Sequence, residues 1–169
     1  MNNDRIKQCV HNAVRGDASA FGELYEEYAT GMYKFALWYL KNPHDAEDAV
    51  QSCALKAYRN IACVKKPESF RSWLFQILAN ACKDMIRNRA REDLTVDEID
   101  SPVFDSYEDG TVTRLLSNLS EEERRIVTLS VLGEFNSREI SRMLGVNENT
   151  VRSKLSRSLK KLRELCETA

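Results

Sequence analysis

The stretch "NSREISRMLGVNENTVRSKLSRSLKKLREL", residues 136 to 165, decides the fold of the C-terminal part of the chain. Its pattern predicts two amphipathic helices joined by a turn. Asn136 is the expected N-cap with Glu139 at the capping-box position, Gly145 ends the first helix, and Asn147 can cap the second. Two helices joined by a short turn that contains glycine are typical of a helix-turn-helix.

The second of these helices carries charge of one sign. Six cations and no anion lie between Arg152 and Arg163, although the formal net charge of the whole chain is −1. At about 100° per residue, one face of this helix is apolar and the opposite face is polar. The apolar face, which is expected to pack on the preceding helices, contains Val151, Leu155, Leu159, Leu162 and Cys166. The polar face contains Asn149, Thr150, Ser153, Ser156, Arg157 and Lys160, with Arg152 at its edge.

This polar face predicts contact with DNA. The alternative interpretation is a helix that only faces solvent. Such a helix usually mixes cations and anions in i,i+4 pairs. In a helix-turn-helix the second helix enters the major groove, where Asn and Arg contact base edges while Lys, Ser and Thr also suit phosphates. The single sign of the charge and the preceding turn favour DNA binding.

An acidic segment divides the chain. Residues 93 to 113 contain seven acidic side chains and no Lys or Arg, together with Ser, Pro and Gly and without a helical period. Such a composition is typical of a linker. It predicts an N-terminal domain over residues 1 to 92, a flexible acidic linker over 93 to 113, and a C-terminal domain over 114 to 169. The C-terminal domain is expected to begin with a helix capped by Ser120 and Glu123.

The N-terminal domain is predicted to be helical as well. Apolar residues recur at helical spacing in several segments, and no run of strands is visible. These segments are "GDASAFGELYEEY", "TGMYKFALWYLKN" with a stop at Asn42-Pro43, "HDAEDAVQSCALKAYRNI" and "SFRSWLFQILANACKDMIRNRARE". The predicted fold class is therefore all-α, with two small helical domains.

A second basic surface is expected at the end of the N-terminal domain. The segment "KDMIRNRAR" follows an aromatic-rich helix, and Lys65 and Lys66 precede that helix. Cations that alternate with aromatic side chains suit single-stranded nucleic acid, because phosphates attract charge and unstacked bases need flat surfaces. Helical aromatic residues more often belong to a core, so Trp73 and Phe75 are assigned to packing.

Composition argues against several other classes of protein. "MNNDRIKQCV" lacks the apolar core of a signal peptide, and no apolar run is long enough to span a bilayer, so we expect a cytoplasmic protein without membrane insertion. The five cysteines form no C-x-x-C pair and are expected to be reduced, with redox sensing as the alternative. Two distant histidines predict no metal site, and no sequence pattern of a catalytic site or cofactor is present.

Three segments resemble bacterial RNA polymerase sigma factors of the sigma-70 family, and most of all the small extracytoplasmic-function (ECF) group. They are "DAEDAVQSCALKAYRNI", "SFRSWLFQILANACKDMIRNR" and "LSEEERRIVTLSVLGEFNSREISRMLGVNENTVRSKLSRSLKKLREL". The resemblance implies that the N-terminal domain reads the minus-ten promoter element and that the C-terminal domain reads the minus-thirty-five element as duplex. It also implies core RNA polymerase, promoter DNA and an anti-sigma factor as partners, with no cofactor and no catalysis.

The resemblance further implies roles for individual residues. For the minus-thirty-five element they are Asn149, Arg152, Ser153, Ser156 and Arg157, to which the polar face adds Thr150 and Lys160. For the minus-ten element they are Asn80, Lys83, Asp84 and Arg87, with Lys65 and Lys66 in a loop that captures a flipped-out base. For the polymerase they are Asp48, Gln51 and Lys56. Ser52 and Ala54 stand where the family often has Glu and an aromatic residue, so the details of the polymerase contact are open.

A helix-turn-helix regulator that acts without polymerase is the competing interpretation. It explains the C-terminal domain but leaves the basic and aromatic helix at residues 70 to 91 without a function. An enzyme is a third class, but no catalytic triad, P-loop, glycine-rich fingerprint or paired carboxylates are visible in the sequence.

Overall fold

The computed structural model describes residues 1–92, 112 and 114–167, without the side chains of residues 90–92. The described residues contain helices and no strand. The N-terminal helices are α1 Asn3–Val14, α2 Ala18–Leu40, α3 Pro43–Asn60 and α4 Phe70–Glu92. The C-terminal helices are α5 Glu121–Val131, α6 Ser137–Leu144 and α7 Glu148–Glu167. Two 3-10 turns, Ile61–Cys63 and Pro67–Ser69, connect α3 to α4. The all-α prediction is confirmed, while the predicted linker lies outside the described residues except for Val112.

The predicted helix ends are formed by side-chain caps. The Asn136 Oδ1 accepts from the backbone N–H of Glu139 at 3.0 Å, and the Glu139 carboxylate accepts from the backbone N–H of Asn136 at 2.9 Å. Gly145 ends α6 at φ 66°, in the left-handed region that glycine adopts without a steric cost. Ser120 and Glu123 form the same reciprocal pair at the start of α5.

The N-terminal domain differs from the prediction in two helices. We predicted separate helices around Leu24 and Phe35, but α2 is one helix of 23 residues. Gly31 does not break it, because a glycine inside a helix costs only about 1 kcal/mol and the flanking Leu24, Met32 and Phe35 are all fully buried. The prediction also lacked α1, which Asn2 caps and which buries Cys9, Val10 and Ala13.

The apolar face of α7 is narrower than predicted. Val151 is buried, and Leu155 and Leu162 are half-buried, but Leu159 and Cys166 are exposed, so their assignment to the packed face is wrong. On a helical wheel Leu159 lies about 80° from Val151, whereas Ser158 lies only about 20° from it. Ser158 therefore occupies the buried position, with 1% of its surface exposed.

The two domains pack against each other through two groups of residues. The first group, called the Trp38 cluster, lies at the C-terminal end of α2 and contains Trp38, Tyr39, Leu116, Leu119, Glu121 and Arg124. In it, Trp38 packs on the small core formed by Leu116 and Leu119. The Tyr39 hydroxyl donates to Glu121 at 3.1 Å, and Arg124 donates to the Tyr39 carbonyl oxygen, also at 3.1 Å.

The second group, called the Phe135 cluster, lies at the start of α4 and contains Arg71, Phe75, Glu134 and Phe135. The Phe75 and Phe135 rings meet edge to face, with centroids 5.6 Å apart. The Arg71 guanidinium lies 5.1 Å from the centroid of Phe135 and 3.3 Å from the Glu134 carboxylate. Apolar residues of both domains consequently form one continuous buried core.

In the part of the chain that the structure describes, no helix combines the length and the apolar character needed to cross a lipid bilayer.

Candidate nucleic-acid interface

The structure brings all seven predicted minus-thirty-five residues onto one side of α7. Thr150 is half-buried and the other six side chains are exposed. Val151 and Ser158 on the opposite side are buried, which fixes the rotation of the helix about its axis. Because α6 and the turn at Gly145 hold the N-terminal end of α7, the polar face is presented on a rigid element. These residues are Asn149, Thr150, Arg152, Ser153, Ser156, Arg157 and Lys160.

The six cations of α7 have different surroundings. Lys154 binds the Glu122 carboxylate, and Lys161 donates to the Asn118 carbonyl oxygen, so both hold α7 against its own domain. Arg152 donates to Glu148 at 2.6 Å, one turn earlier. The Nε of Arg157 donates to the Ser153 carbonyl oxygen at 3.2 Å. That bond orients Arg157, and its terminal nitrogens make no further hydrogen bond within the described residues.

The four minus-ten residues predicted on α4 also share a face. Asn80, Lys83, Asp84 and Arg87 are all exposed, and their spacing of three or four residues keeps them on one side of a helix. Arg87 and Asp84 form an ion pair at 3.3 Å. The structure thus gathers one amide, one carboxylate and two cations on a continuous strip of α4.

Trp73 lies between this strip and the loop that carries Lys65 and Lys66, both exposed. It packs on Phe70 with ring centroids 5.9 Å apart and is itself half-buried. One cavity of about 420 Å³ joins the indole to residues of α3, the first 3-10 turn and α4. Its lining residues are Lys56, Asn60, Cys63, Trp73, Ile77 and Asn80.

A second cavity, of about 450 Å³, lies on the other side of Trp73 and reaches α6 of the C-terminal domain. Lys66, Ser72 and Gln76 line it on the N-terminal side. The assignment to packing is confirmed for Phe75, which is 2% exposed. Trp73 is packed through only part of its ring, since the indole also lines both cavities. We did not single out Gln76, although it follows Trp73 by one helical turn.

The predicted polymerase residues fall on two sides of α3. Asp48 and Gln51 are exposed one turn apart, whereas Lys56 lies about 80° from Asp48 around the helix and lines the first cavity with Trp73. The face of Asp48 and Gln51 continues to two apolar side chains that we did not predict there. They are Leu55, 60% exposed, and Tyr58, 50% exposed.

Titratable side chains in the core are held neutral by burial. Desolvation raises the pKa of the Cys53 thiol to about 12 and also raises the pKa of Cys82. Both thiols are therefore protonated at neutral pH, as structural cysteines are. Among the described residues, no three His, Cys, Asp or Glu side chains come together as a metal site would require.

Comparison with known proteins agrees with this arrangement. The model of sigma-70 region 2 matches residues 24–92, and that of sigma-70 region 4 matches residues 110–162. RNA polymerase sigma factor SigV of Bacillus subtilis is 30% identical over 141 residues, which cover 81% of this chain and 85% of that protein. ECF sigma factor SigM of Mycobacterium tuberculosis is 30% identical over 156 residues, which cover 90% of this chain and 80% of that protein.

A solved structure shows the same fold. CnrH, in complex with the cytosolic domain of CnrY, superposes with a TM-score of 0.76 at 23% identity, covering 97% of this chain and 98% of CnrH. A helical region 2 followed by a helix-turn-helix region 4 defines a sigma-70-type transcription initiation factor. The chain belongs to the ECF group of RNA polymerase sigma factors. The competing interpretation, a helix-turn-helix regulator that acts without polymerase, does not account for region 2.

Proposed function

We propose that the chain directs core RNA polymerase to promoters by reading two DNA elements, one with each domain. The observation that carries the proposal is the pair of exposed polar faces, on α4 and on α7. Each face is exposed to solvent because the opposite side of its helix is buried. The chain supplies recognition, and the polymerase supplies the chemistry. We therefore assign it no catalysis of its own and place its action in the cytoplasm, where polymerase and chromosome meet.

The C-terminal domain reads the minus-thirty-five element as duplex. An α-helix fits the major groove of B-DNA, and α7 follows the turn at Gly145 as a recognition helix does. Asn149 and Arg157 are suited to bidentate contacts with base edges, while Ser153, Ser156 and Lys160 are suited to phosphates. The bond from Arg157 to the Ser153 carbonyl oxygen supports this role, because a guanidinium oriented in advance loses less entropy on binding.

The N-terminal domain reads the minus-ten element as separated strands. On the strip of α4, Lys83 and Arg87 are placed to bind the DNA phosphates. The cavities beside Trp73 provide space for a base taken out of the stack, and the indole provides a flat surface for it. Lys65 and Lys66 flank the entrance with positive charge. The inclusion of the indole in this site is supported by its position between Lys66 of the loop and Asn80 of the strip, each of which lines a cavity with it.

Two protein partners complete the proposal. Core RNA polymerase binds the face of α3 that carries Asp48 and Gln51, with Lys56 nearer to the DNA than to that face. An anti-sigma factor is the second partner, in keeping with RpoE of Bartonella quintana, whose solved structure is a complex with the anti-sigma factor NepR.

Transcription with purified components tests the proposal. Core polymerase plus this chain is incubated with a pool of random duplex DNA, the bound fragments are enriched, and their run-off transcripts are mapped. We expect two conserved sequence blocks upstream of each start site and no specific transcript from core alone. Arg157→Ala should weaken dependence on the upstream block, while Arg15→Ala, an exposed cation at the end of α1, should not. Footprints without transcripts would overturn the proposal in favour of a repressor.

A further inference from the structure

The arginines near the end of α4 lie on two different sides of the helix. Successive residues of an α-helix are turned by about 100°, so the positions of Arg87 and Arg89 are about 160° apart around the axis. Arg87 is exposed on the strip that also carries Lys83, whereas Arg89 is half-buried. The basic surface that the segment "KDMIRNRAR" predicts therefore includes Arg87 but not Arg89.

Arg89 lies on the side of α4 that packs in the core. Leu78 and Cys82 are fully buried and Met85 is half-buried. Arg89 follows them at the spacing of three or four residues that keeps side chains on one face of a helix. A guanidinium at the end of such an apolar stripe loses hydration, and this loss is costly unless an anion pairs with it.

The anion is Asp45, which lies in the first turn of α3. Its Oδ2 atom is buried and forms an ion pair with the Arg89 guanidinium. The Asp45 side chain is only 19% exposed, whereas both members of the pair of Arg87 with Asp84 are exposed. Asp45 is also held in place, because its backbone N–H donates to the Asn42 Oδ1 at 3.1 Å.

The two ion pairs consequently differ in importance. An exposed pair contributes little to stability, but removal of one member of a mostly buried pair leaves a charge without compensation. Lys83 and Arg87 lie within the two turns that precede Arg89 on α4, which ends at Glu92. Terminal turns of helices fray easily, so the direction in which these two cations point depends on what holds this end of the helix.

We propose that Arg89 is a positioning residue for minus-ten recognition. It does not contact DNA but, through Asp45, fixes the end of α4 on the start of α3, so that Lys83 and Arg87 meet the phosphates of the separated strand. The inference rests on the proposed function, since it concerns the same strip of α4. It assigns different roles to two arginines that are only two positions apart.

Binding of single-stranded DNA by the holoenzyme tests this role. The probe is a fluorescein-labelled oligonucleotide with the non-template strand of the enriched minus-ten block. Its affinity is measured at several salt concentrations, at a temperature at which circular dichroism shows each variant to be folded. Arg87→Ala should weaken binding and reduce the slope of log K against log salt by about 0.7, the value for one phosphate contact on a single strand. Arg89→Ala should weaken binding by about tenfold and leave the slope unchanged.

Two further variants distinguish the ion pair from the size of the side chains. Asp45→Asn removes the charge of the partner with little change in size, and it should reproduce the loss seen with Arg89→Ala. Arg89→Lys keeps the cation and should retain most of the affinity. Binding of the same holoenzymes to the minus-thirty-five duplex is the internal control, because α7 reads that element and its affinity should not change.

Hydrogen exchange of the free chain provides a readout that needs neither DNA nor polymerase. The backbone amides of residues 83 to 89 should exchange faster in Arg89→Ala and in Asp45→Asn, but not in Arg87→Ala. A reduced salt slope for Arg89→Ala would make this residue a phosphate contact and overturn the inference. Undiminished strand affinity, which a merely structural role predicts, or unchanged exchange would overturn it as well. If the natural holoenzyme binds the oligonucleotide no better than core polymerase alone, the proposed function fails instead.

Discussion

The hydroxyl group of Tyr39 donates a hydrogen bond to Oε1 of Glu121 at 3.1 Å, across 82 positions of sequence. Tyr39 has no exposed surface, and its burial raises the pKa of the phenol, so the hydroxyl is a donor at neutral pH. Glu121 lies in the first turn of α5, where a carboxylate is also favoured by the helix dipole. One bond therefore ties the end of α2 to the beginning of α5.

Replacement of Tyr39 by Phe should weaken this tie without leaving a cavity. We expect Tyr39→Phe to lower the free energy of unfolding by about 1 kcal/mol, the usual net contribution of one hydrogen bond. Urea denaturation of Tyr39→Phe, Glu121→Ala and the double variant measures the coupling between the two side chains. Strict additivity of the two single effects would mean that the bond contributes nothing.

Leu155 and Leu159 should respond differently to the same substitution. Leu155 packs against the large core that both domains share and against the small core of Leu116 and Leu119, whereas Leu159 is 40% exposed. Leu155→Asp should cost about 3 kcal/mol because a charge enters an apolar site, and it should largely unfold the C-terminal domain. Leu159→Asp should change stability by about 0.5 kcal/mol or less. Circular dichroism during thermal unfolding distinguishes the two variants. Equal losses of stability would mean that Leu159 belongs to the packed apolar face after all.

The capping box of α5 should make stability depend on pH. Hydrogen bonds from Ser120, first from its backbone N–H, lower the pKa of Glu123. A carboxyl whose pKa is lower in the folded state stabilises the fold above its ordinary pKa, near 4.5, and loses that contribution as the pH falls through the folded value. Glu123→Gln keeps an N3 side chain that can cap the helix but does not titrate.

We accordingly expect the stability of the natural chain to fall relative to Glu123→Gln as the pH is lowered from about 5 to below 4. Ser120→Ala should cost about 1 kcal/mol at neutral pH through loss of the cap. Denaturation curves across this range provide the measurement. Parallel pH profiles for the natural chain and Glu123→Gln would refute the assignment.

Arg157 should contribute to sequence discrimination and Lys160 to general affinity. Arg157→Ala should weaken binding to the enriched minus-thirty-five block by about 1 to 3 kcal/mol, because its guanidinium contacts a base edge. The loss of binding free energy on a scrambled duplex should be much smaller. Lys160→Ala should weaken both duplexes alike and reduce the salt dependence of binding. Fluorescence anisotropy with the holoenzyme and labelled duplexes measures both. An equal loss on both duplexes for Arg157→Ala would make it a phosphate contact.

Local signals in the sequence predicted the helix-turn-helix well. The caps at Ser120 and Asn136 and the stop at Gly145 depend on neighbours within three or four residues, which a sequence displays directly. The length of α2 was mispredicted because the packing of Met32 and Phe35 outweighs the weak helix propensity of Gly31. The boundaries of the apolar face at Leu159 depend on where α5 and α6 end, and the helical wheel contains no such information.

Contacts between the domains were beyond prediction for a related reason. Arg71 and Glu134 are ordinary surface residues in sequence, and nothing near either one indicates the other. Trp38 lies within the apolar run of α2, but its partners Leu116 and Leu119 follow the acidic segment. The position of Lys56 beside Trp73, away from Asp48, likewise depends on how α3 crosses α4. The residue roles on α4, α7 and α3 remain predictions, and the experiments on Arg157 and Lys160 address those on α7.

Arg124 donates to the carbonyl oxygens of Leu116 and Leu119 in its own domain and to that of Tyr39 in the other. The last turn of α2 thus obtains part of its C-terminal cap from a neighbouring module rather than from its own sequence. Removal of the guanidinium, as in Arg124→Ala, would leave that carbonyl group to water and make the terminal turn freer to fray. The order of the last turn of α2 therefore depends on a residue of the other module, and hydrogen exchange at its backbone amides would report that dependence.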